Sequence, residues 1–318
     1  MAPFPYTIRP IRPEKDAADI ADLIKKSFRP WLDNENISYL EQLHKSGLNA
    51  QAHPLWTNIT GFPYNLPGMV CADKEGKILG VVNSYTFYRG ENKCVSIANV
   101  CVDPNHRREG IATHILREIE QSQQKEGTYG LYLQARMSNP KTIQFYKNRG
   151  YAVTDFRETW ILPKGKNIQT LIPDGYQTEY VPAADKENFT KQFKIRYPDS
   201  ILWNLDYSDS LFHPGRFSAI MNRLLSPGNR FLRIKEGHSS VKAWAAFQPL
   251  QGIMDQLWFI PNEGITDREK SITLGILSRE YRGSNALKLD IPVGEDPEIC
   301  TAAGFIKQQT LAWMWKRL

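Results

Sequence analysis

The chain spells one hairpin twice. Val70-Cys71-Ala72-Asp73-Lys74-Glu75-Gly76-Lys77-Ile78-Leu79-Gly80-Val81-Val82 sets two apolar runs around a Gly-containing turn. Phe231-Leu232-Arg233-Ile234-Lys235-Glu236-Gly237-His238, followed by Val241-Lys242-Ala243-Trp244-Ala245-Ala246-Phe247, does so around the same Lys-Glu-Gly. Apolar runs on either side of a glycine turn are the mark of a hairpin. Later, Leu131-Tyr132-Leu133-Gln134 through Gly150-Tyr151 is echoed by Leu287-Lys288-Leu289-Asp290 through Gly304-Phe305. Each half closes on an apolar strand, Thr159-Trp160-Ile161-Leu162 and Leu311-Ala312-Trp313-Met314-Trp315. Matching elements in matching order imply two copies of one fold, and a length of 318 residues suits two domains. The polar, punctuated stretch Pro163-Lys164-Gly165-Lys166-Asn167 is the expected link, giving domains 1–163 and 168–318.

The first copy carries a basic loop. The apolar run Val95-Ser96-Ile97-Ala98-Asn99-Val100-Cys101-Val102 is followed by Asp103-Pro104, then Arg107-Arg108-Glu109-Gly110-Ile111-Ala112. Beyond it, Ile111, Ile115, Leu116 and Ile119 share one helical face. The unit predicts strand, basic loop, helix. Gly110 and Ala112 leave little side chain at the helix start, so backbone N–H groups can approach a ligand. Unpaired N–H groups and the positive dipole end meet two arginines there, which suits a pyrophosphate. A solvated surface loop is the alternative for such a stretch taken alone.

The pattern V-x-V-x-P-x-x-R-R-x-G-I-A resembles the acyl-CoA-binding motif of the GNAT superfamily of N-acyltransferases. A second element stands at the family's spacing. After the strand Leu131–Arg136, the run Asn139-Pro140-Lys141-Thr142-Ile143-Gln144-Phe145-Tyr146-Lys147-Asn148-Arg149-Gly150-Tyr151 resembles its N-x-x-A-x-x-[LF]-Y-x-x-x-G-[FY] helix, with Thr142 where Ala is usual. The helix signals stand independently: Asn139 can cap, Pro140 suits the first turn and Gly150 the stop. The resemblance covers roughly residues 6 to 162. It implies an α/β (α+β, mixed-sheet) fold of two GNAT-like acyl-CoA N-acyltransferase domains in tandem, with acetyl-CoA as cosubstrate.

It also implies a site. Arg107, Arg108, Glu109, Gly110, Ile111, Ala112 and Thr113 would hold the CoA pyrophosphate. Val100, Cys101 and Val102 would pair with the pantetheine arm and offer a backbone N–H to the oxyanion. Asn139 would bond the CoA arm, its other role being a plain N-cap. Tyr146 matches the tyrosine that protonates the departing thiolate; a phenol suits that task, and Phe145 could supply the packing of that helix instead. Members acting on ribosomal-protein N-termini place a Glu twelve residues before the tyrosine. Here that residue is Gln134, which takes no proton, so water held by Asn99, Gln134 or a carbonyl would have to serve, or the amine would arrive neutral.

The second copy has no such loop. Counted from Pro104 and Pro261, Gly264 stands where Arg107 does and Asp267 where Gly110 does, and Glu263, Asp267 and Glu269 would repel a pyrophosphate. Cys300, four residues before Gly304, stands where Tyr146 does. This copy is expected to be degenerate, shaping an acceptor cleft or an interface. Residues 29–68, rich in aromatic and turn residues (Trp31, Pro54, Trp56, Phe62, Tyr64, Pro67), are long for a connection and suit either acceptor binding or packing.

The remaining signals narrow the class. Apolar content of 41% and mean hydropathy of −0.46 describe a soluble globular chain. No apolar run approaches a bilayer span, and Met1-Ala2-Pro3-Phe4-Pro5-Tyr6 lacks the basic-then-apolar order of a signal peptide, so none is expected. Cys71, Cys94, Cys101 and Cys300 form no C-x-x-C pair, so free thiols, a cytoplasmic location and no metal are expected. His106 and His114 flank the basic loop without an evident acidic partner. The net charge of +6 comes with no basic tail or helix-turn-helix signal, against nucleic acid as partner. The expected activity is acetyl transfer to a primary amine of a small molecule or protein N-terminus; the alternative is a non-catalytic CoA-binding protein using its second domain for protein contacts. The acceptor, acyl-chain preference and oligomeric state are not legible.

Overall fold

The computed structural model describes residues 4–32, 34–54, 57, 62–166, 172–205, 230–237, 240–249, 254–281 and 285–318. Trp56 and His238 lie outside them. The chain divides into two compact units: Met1–Gln134 with Trp315–Leu318, and Ala135–Met314.

In the first unit, β1 (Thr7–Pro10), β2 (Gly68–Ala72), β3 (Ile78–Arg89), β4 (Asn92–Val102) and β5 (Gly130–Arg136) neighbour one another in that order. The pairs are antiparallel except β4–β5, which is parallel. Helix α1 (Pro13–Phe28) starts on a proline, and its buried Ala17, Ile20, Ala21 and Ile24 repeat at helical spacing. Helix α2 (Asn34–Ala52) crosses it closely. A Cβ on Gly47 would stand 2.6 Å from the Ala18 nitrogen, so the two backbones meet there. Much of the stretch 29–68, long for a connection, is this helix, whose Leu40 and Leu43 pack with Ile20, Val70 and Val81. On the sheet, Gly80 fulfils a similar need. A Cβ there would sit 2.6 Å from Ile111 Cγ2, the first residue of α3 (Ile111–Lys125).

The second unit holds β6 (Ala152–Leu162), β7 (Tyr176–Tyr180), β8 (Arg230–Glu236), β9 (Ser240–Gln248), β10 (Met254–Pro261), β11 (Ala286–Pro292) and most of β12 (Ile306–Arg317). Their order is β12-β6-β11-β10-β9-β8-β7. Its helices are α4 (Pro140–Lys147), α5 (Lys186–Arg196), α6 (Asp199–Leu202), α7 (Asp267–Glu280) and α8 (Pro297–Ala302). Leu257, Phe259, Leu277, Leu289 and Phe305 belong to one core cluster, and Phe193, Tyr197, Trp244, Trp258 and Trp313 to another.

The repetition read from sequence has a backbone counterpart. Strands β7 to β11 repeat the pairing of β1 to β5, three antiparallel pairs and one parallel. The turn glycines Gly76 and Gly237 both have positive φ, 87° and 66°. Helices α4 and α8 end alike. Gly150 and Gly304 are left-handed (φ 85° and 89°), Tyr151 N–H donates to Tyr146 O at 3.1 Å, and Phe305 N–H donates to Cys300 O at 3.0 Å. Cys300 therefore does stand where Tyr146 does.

The compact units do not follow the 163/168 linker. Strand β6, the last of the first sequence copy, pairs antiparallel with β11 from Arg157↔Pro292 to Leu162↔Leu287 and so belongs to the second unit. The first unit is completed instead by Trp315–Leu318. There the Trp315 ring stacks on Tyr129 (6.1 Å) and Tyr132 (5.9 Å), and Leu318 N–H donates to Tyr129 O at 3.3 Å.

Candidate active site

Parallel pairing of β4 with β5 runs from Cys94↔Gly130 to Ile97↔Leu133 and stops, although β4 continues to Val102. Gln134 and Asn99 therefore lie just beyond the last paired residues, on strands that diverge. The β3–β4 register shifts opposite Val82, and Asn99 has φ 50°, a bulge in β4. The bulge is braced. Asn99 Nδ2 donates to Asn83 Oδ1 at 3.0 Å, and the fully buried Asn83 donates in turn to Pro67 O at 3.1 Å. The side-chain amide of Asn99 is thus engaged in holding the bulge. Val100 and Val102 are half-buried. Burial pushes the Cys101 thiol up to about 12. It stays protonated near neutrality, as a buried structural thiol does.

From the bulge the chain enters the basic loop. Asp103 shapes its start: its carboxylate accepts from Asn105 N–H at 2.9 Å and meets Lys26 Nζ at 3.0 Å. Arg107 and Arg108 are exposed, and Arg108 has φ 69°. Gly110 follows at φ 81° as the N-cap of α3. No side chain caps this helix, and its first turn carries no acidic residue. Two left-handed positions, Arg108 and Gly110, separated by Glu109, lead into an uncapped helix start whose free N–H groups suit an anion. His114 Nδ1 lies 3.0 Å from Gly110 O and fixes that glycine. Ile111 is buried, while Ala112 and Thr113 are half-buried. Glu109 accepts a hydrogen bond from the Tyr6 hydroxyl and stands 3.4 Å from His106 Nδ1, so His106 does have an acidic partner, three residues on.

Two candidates lie in the second unit. Asn139 caps α4, its Oδ1 accepting from Thr142 N–H at 3.3 Å. Tyr146 is the buried residue of α4, its ring 5.6 Å from that of Tyr151. Phe145 is half-buried with the Arg149 guanidinium 4.4 Å over it. The packing expected of Phe145 thus falls to Tyr146, because the tyrosine lies on the helix stripe that faces inward.

The second copy is closed at both corresponding places. Its β10–β11 pairing also ends early, at Leu257↔Leu289, and beyond it stands Phe259. The fully buried Tyr197 hydroxyl donates to Phe259 O at 3.2 Å and accepts from its N–H at 3.1 Å. An incoming chain could not pair with that backbone. The following helix, α7, is sealed by a capping box. Thr266 accepts from Glu269 N–H at 3.2 Å, and Glu269 accepts from Thr266 N–H at 2.7 Å and from Lys242 at 2.6 Å. The N-cap matching Gly110 is Thr266, one residue before the Asp267 expected from the proline count. Glu269, expected to face a phosphate, instead turns onto its own helix. The signal T-x-x-E was present in the sequence.

Among the described residues no group of three His, Cys, Asp or Glu side chains could hold a metal ion, and no helix is long and apolar enough to cross a membrane. Residues 26–151 match the Acetyltransferase (GNAT) family. No curated protein matches the sequence. Among solved structures, a GCN5-related N-acetyltransferase from Sphaerobacter thermophilus is similar at TM-score 0.59 and 15% identity, over 100% of this chain and 97% of that one. A fungal GCN5-related glucosamine N-acetyltransferase region, part of a multi-domain β-N-acetylglucosaminidase, is similar at 0.56 and 11%, over 99% of this chain and 38% of that one. At these identities the likeness is one of fold. The family match covers the bulged strand, the basic loop, α3 and α4, so residues 26–151 carry an acetyltransferase domain of the GNAT family, and the repeated strand pairing gives the chain two GNAT-like folds.

Proposed function

We propose that the chain transfers an acetyl group from acetyl-CoA to a primary amine of a small molecule or a protein N-terminus, by direct attack in a ternary complex. The carrying observation is the uncapped start of α3 behind Arg107, Arg108 and Gly110, next to a bulged strand whose pairing has ended. The arginines and the N–H groups from Gly110 to Thr113 bind the pyrophosphate, with the loop carrying Glu109 between them. The backbone from Val100 to Val102 pairs with the pantetheine arm, and an N–H there receives the charge that develops on the thioester oxygen. The amine nitrogen bonds to the thioester carbon, the C–S bond breaks, and Tyr146 gives its proton to the thiolate, a role that rests on its motif position. Water held near Gln134 and the bulge at Asn99 takes the proton lost by the amine. Asn139, spent on its cap, contributes through the placement of α4.

The test is free-thiol release from acetyl-CoA across a panel of amines that includes an amino sugar, peptides with free N-termini and polyamines. Amine-dependent release, with kcat reduced about 100-fold or more in Tyr146→Phe and KM little changed, supports the reading. CoA binding without turnover on any amine supports the alternative of a non-catalytic CoA-binding protein, which the Gln at 134 favours.

A further inference from the structure

The segment just before β1 lies along the basic loop and touches it twice. The Phe4 ring stacks on His114, with centroids 3.8 Å apart and planes 16° from parallel. Two residues on, the Tyr6 hydroxyl donates to Glu109 Oε2, and the Tyr6 ring meets His106 edge-on at 6.2 Å. His114 holds Gly110 O, and His106 stands 3.4 Å from the same Glu109 oxygen. Phe4 and Tyr6 thus grip the two histidines that bracket Arg107–Gly110. Glu109 is the awkward member of this loop, since a carboxylate between two arginines and an uncapped helix start opposes any polyanion there. The groups facing it are Tyr6 and His106, and its pKa is lowered, first by the Tyr6 hydrogen bond and then by His106. Its charge is therefore tethered and not neutralised by a proton.

We infer that Phe4 and Tyr6 form a strap whose purpose is to draw the Glu109 carboxylate off the anion site at the start of α3, making Tyr6 a positioning residue for the phosphates of the cosubstrate. This rests on the acetyl-CoA reading above. The strap acts on the phosphate end alone. Removing the Tyr6 hydroxyl frees Glu109 to swing toward the arginines, where it competes with the ligand.

The experiment is calorimetry of CoA binding to the full chain at low ionic strength, for wild type, Tyr6→Phe, Glu109→Gln and the double variant. Tyr6→Phe keeps the ring against His106, and its folding is checked by thermal melting. The expected outcome is about threefold weaker binding in Tyr6→Phe, tighter binding in Glu109→Gln, and no effect of Tyr6→Phe in the Glu109→Gln background. Equal losses from Tyr6→Phe in both backgrounds, or none in either, overturn the strap and leave the cosubstrate reading standing. No CoA binding by the wild-type chain overturns that reading, and with it the purpose assigned to the strap.

Discussion

The Tyr197 hydroxyl closes a hydrogen-bond pair with one residue, donating to the carbonyl of Phe259 and accepting from its amide. It occupies the backbone edge that the first copy leaves available past Ile97. Tyr197→Phe removes both bonds without opening space for a ligand. It should destabilise the chain by about 1–3 kcal/mol, the cost of leaving buried backbone groups unpaired. CoA stoichiometry should stay at one per chain. Urea denaturation and calorimetry check both halves, and a second CoA site in this variant would show that the hydroxyl alone had blocked it.

Arg107→Ala should weaken CoA binding by about thirtyfold, the typical loss of a charge-assisted phosphate contact. The guanidinium Nε reaches no nearer than 3.5 Å to Val102 O, so little of the native structure depends on it. Thermal stability should therefore be unchanged. A melting shift alongside the affinity loss would mean the loop had collapsed instead.

Gly80→Ala tests whether the anion site depends on how closely α3 lies against the sheet. The added methyl would meet Ile111 Cγ2 at 2.6 Å and Ile115 Cδ1 at 3.1 Å, so the helix must shift or the side chains repack. Overpacking of this kind costs about 1–3 kcal/mol. CoA affinity should fall too, because Ile111 opens the helix whose N–H groups bind. Undiminished affinity would place the phosphates elsewhere.

Acid should act on the second copy through Glu269. Hydrogen bonds from Lys242 and from Thr266 lower its pKa from an ordinary 4.5 to about 2. A depressed carboxylate contributes stability that is present above the unfolded value and lost as pH falls through the folded one. The contribution should therefore be complete above about 4.5 and fade toward about 2. Glu269→Gln should lower stability near neutrality and flatten the acid limb of the stability–pH curve. A variant with an unchanged limb would show that the capping box contributes nothing by charge.

Much of the first site was legible because its determinants are local. A glycine needing positive φ, two arginines and a helix stripe sit within a dozen residues of one another, and the Asn-Pro start of α4 is a local signal of its own. What escaped was either long-range or a matter of facing. Nothing in the wording of β6 and β12 says that β6 will pair with β11, since both read as apolar strands that suit either neighbour. Tyr197 follows a helix of mixed polarity and gives no hint that its hydroxyl will find Phe259. Phe145 and Tyr146 are adjacent aromatics, and only the helix orientation decides which one points inward. The capping box at Thr266 and the His106–Glu109 pair are readable at their three-residue spacing, but composition alone does not say whether an acidic residue faces a ligand or its own helix.

The membership of Trp315–Leu318 in the first unit has a consequence for synthesis. Gly130 has no room for a Cβ because Lys316 O would be 2.9 Å from it, and Lys316 Nζ reaches Glu120 at 2.8 Å. The ribosome delivers these residues only after the whole stretch from Ala135 to Met314, a delay on the order of ten seconds or more at usual elongation rates. Throughout that interval the nascent first unit carries an unfinished edge at β5, open to a chaperone or to a neighbouring nascent chain. The unit that holds the basic loop begins with β1 but is completed only by Trp315–Leu318, so expression yield should respond to changes in those residues as sharply as to changes in the basic loop itself.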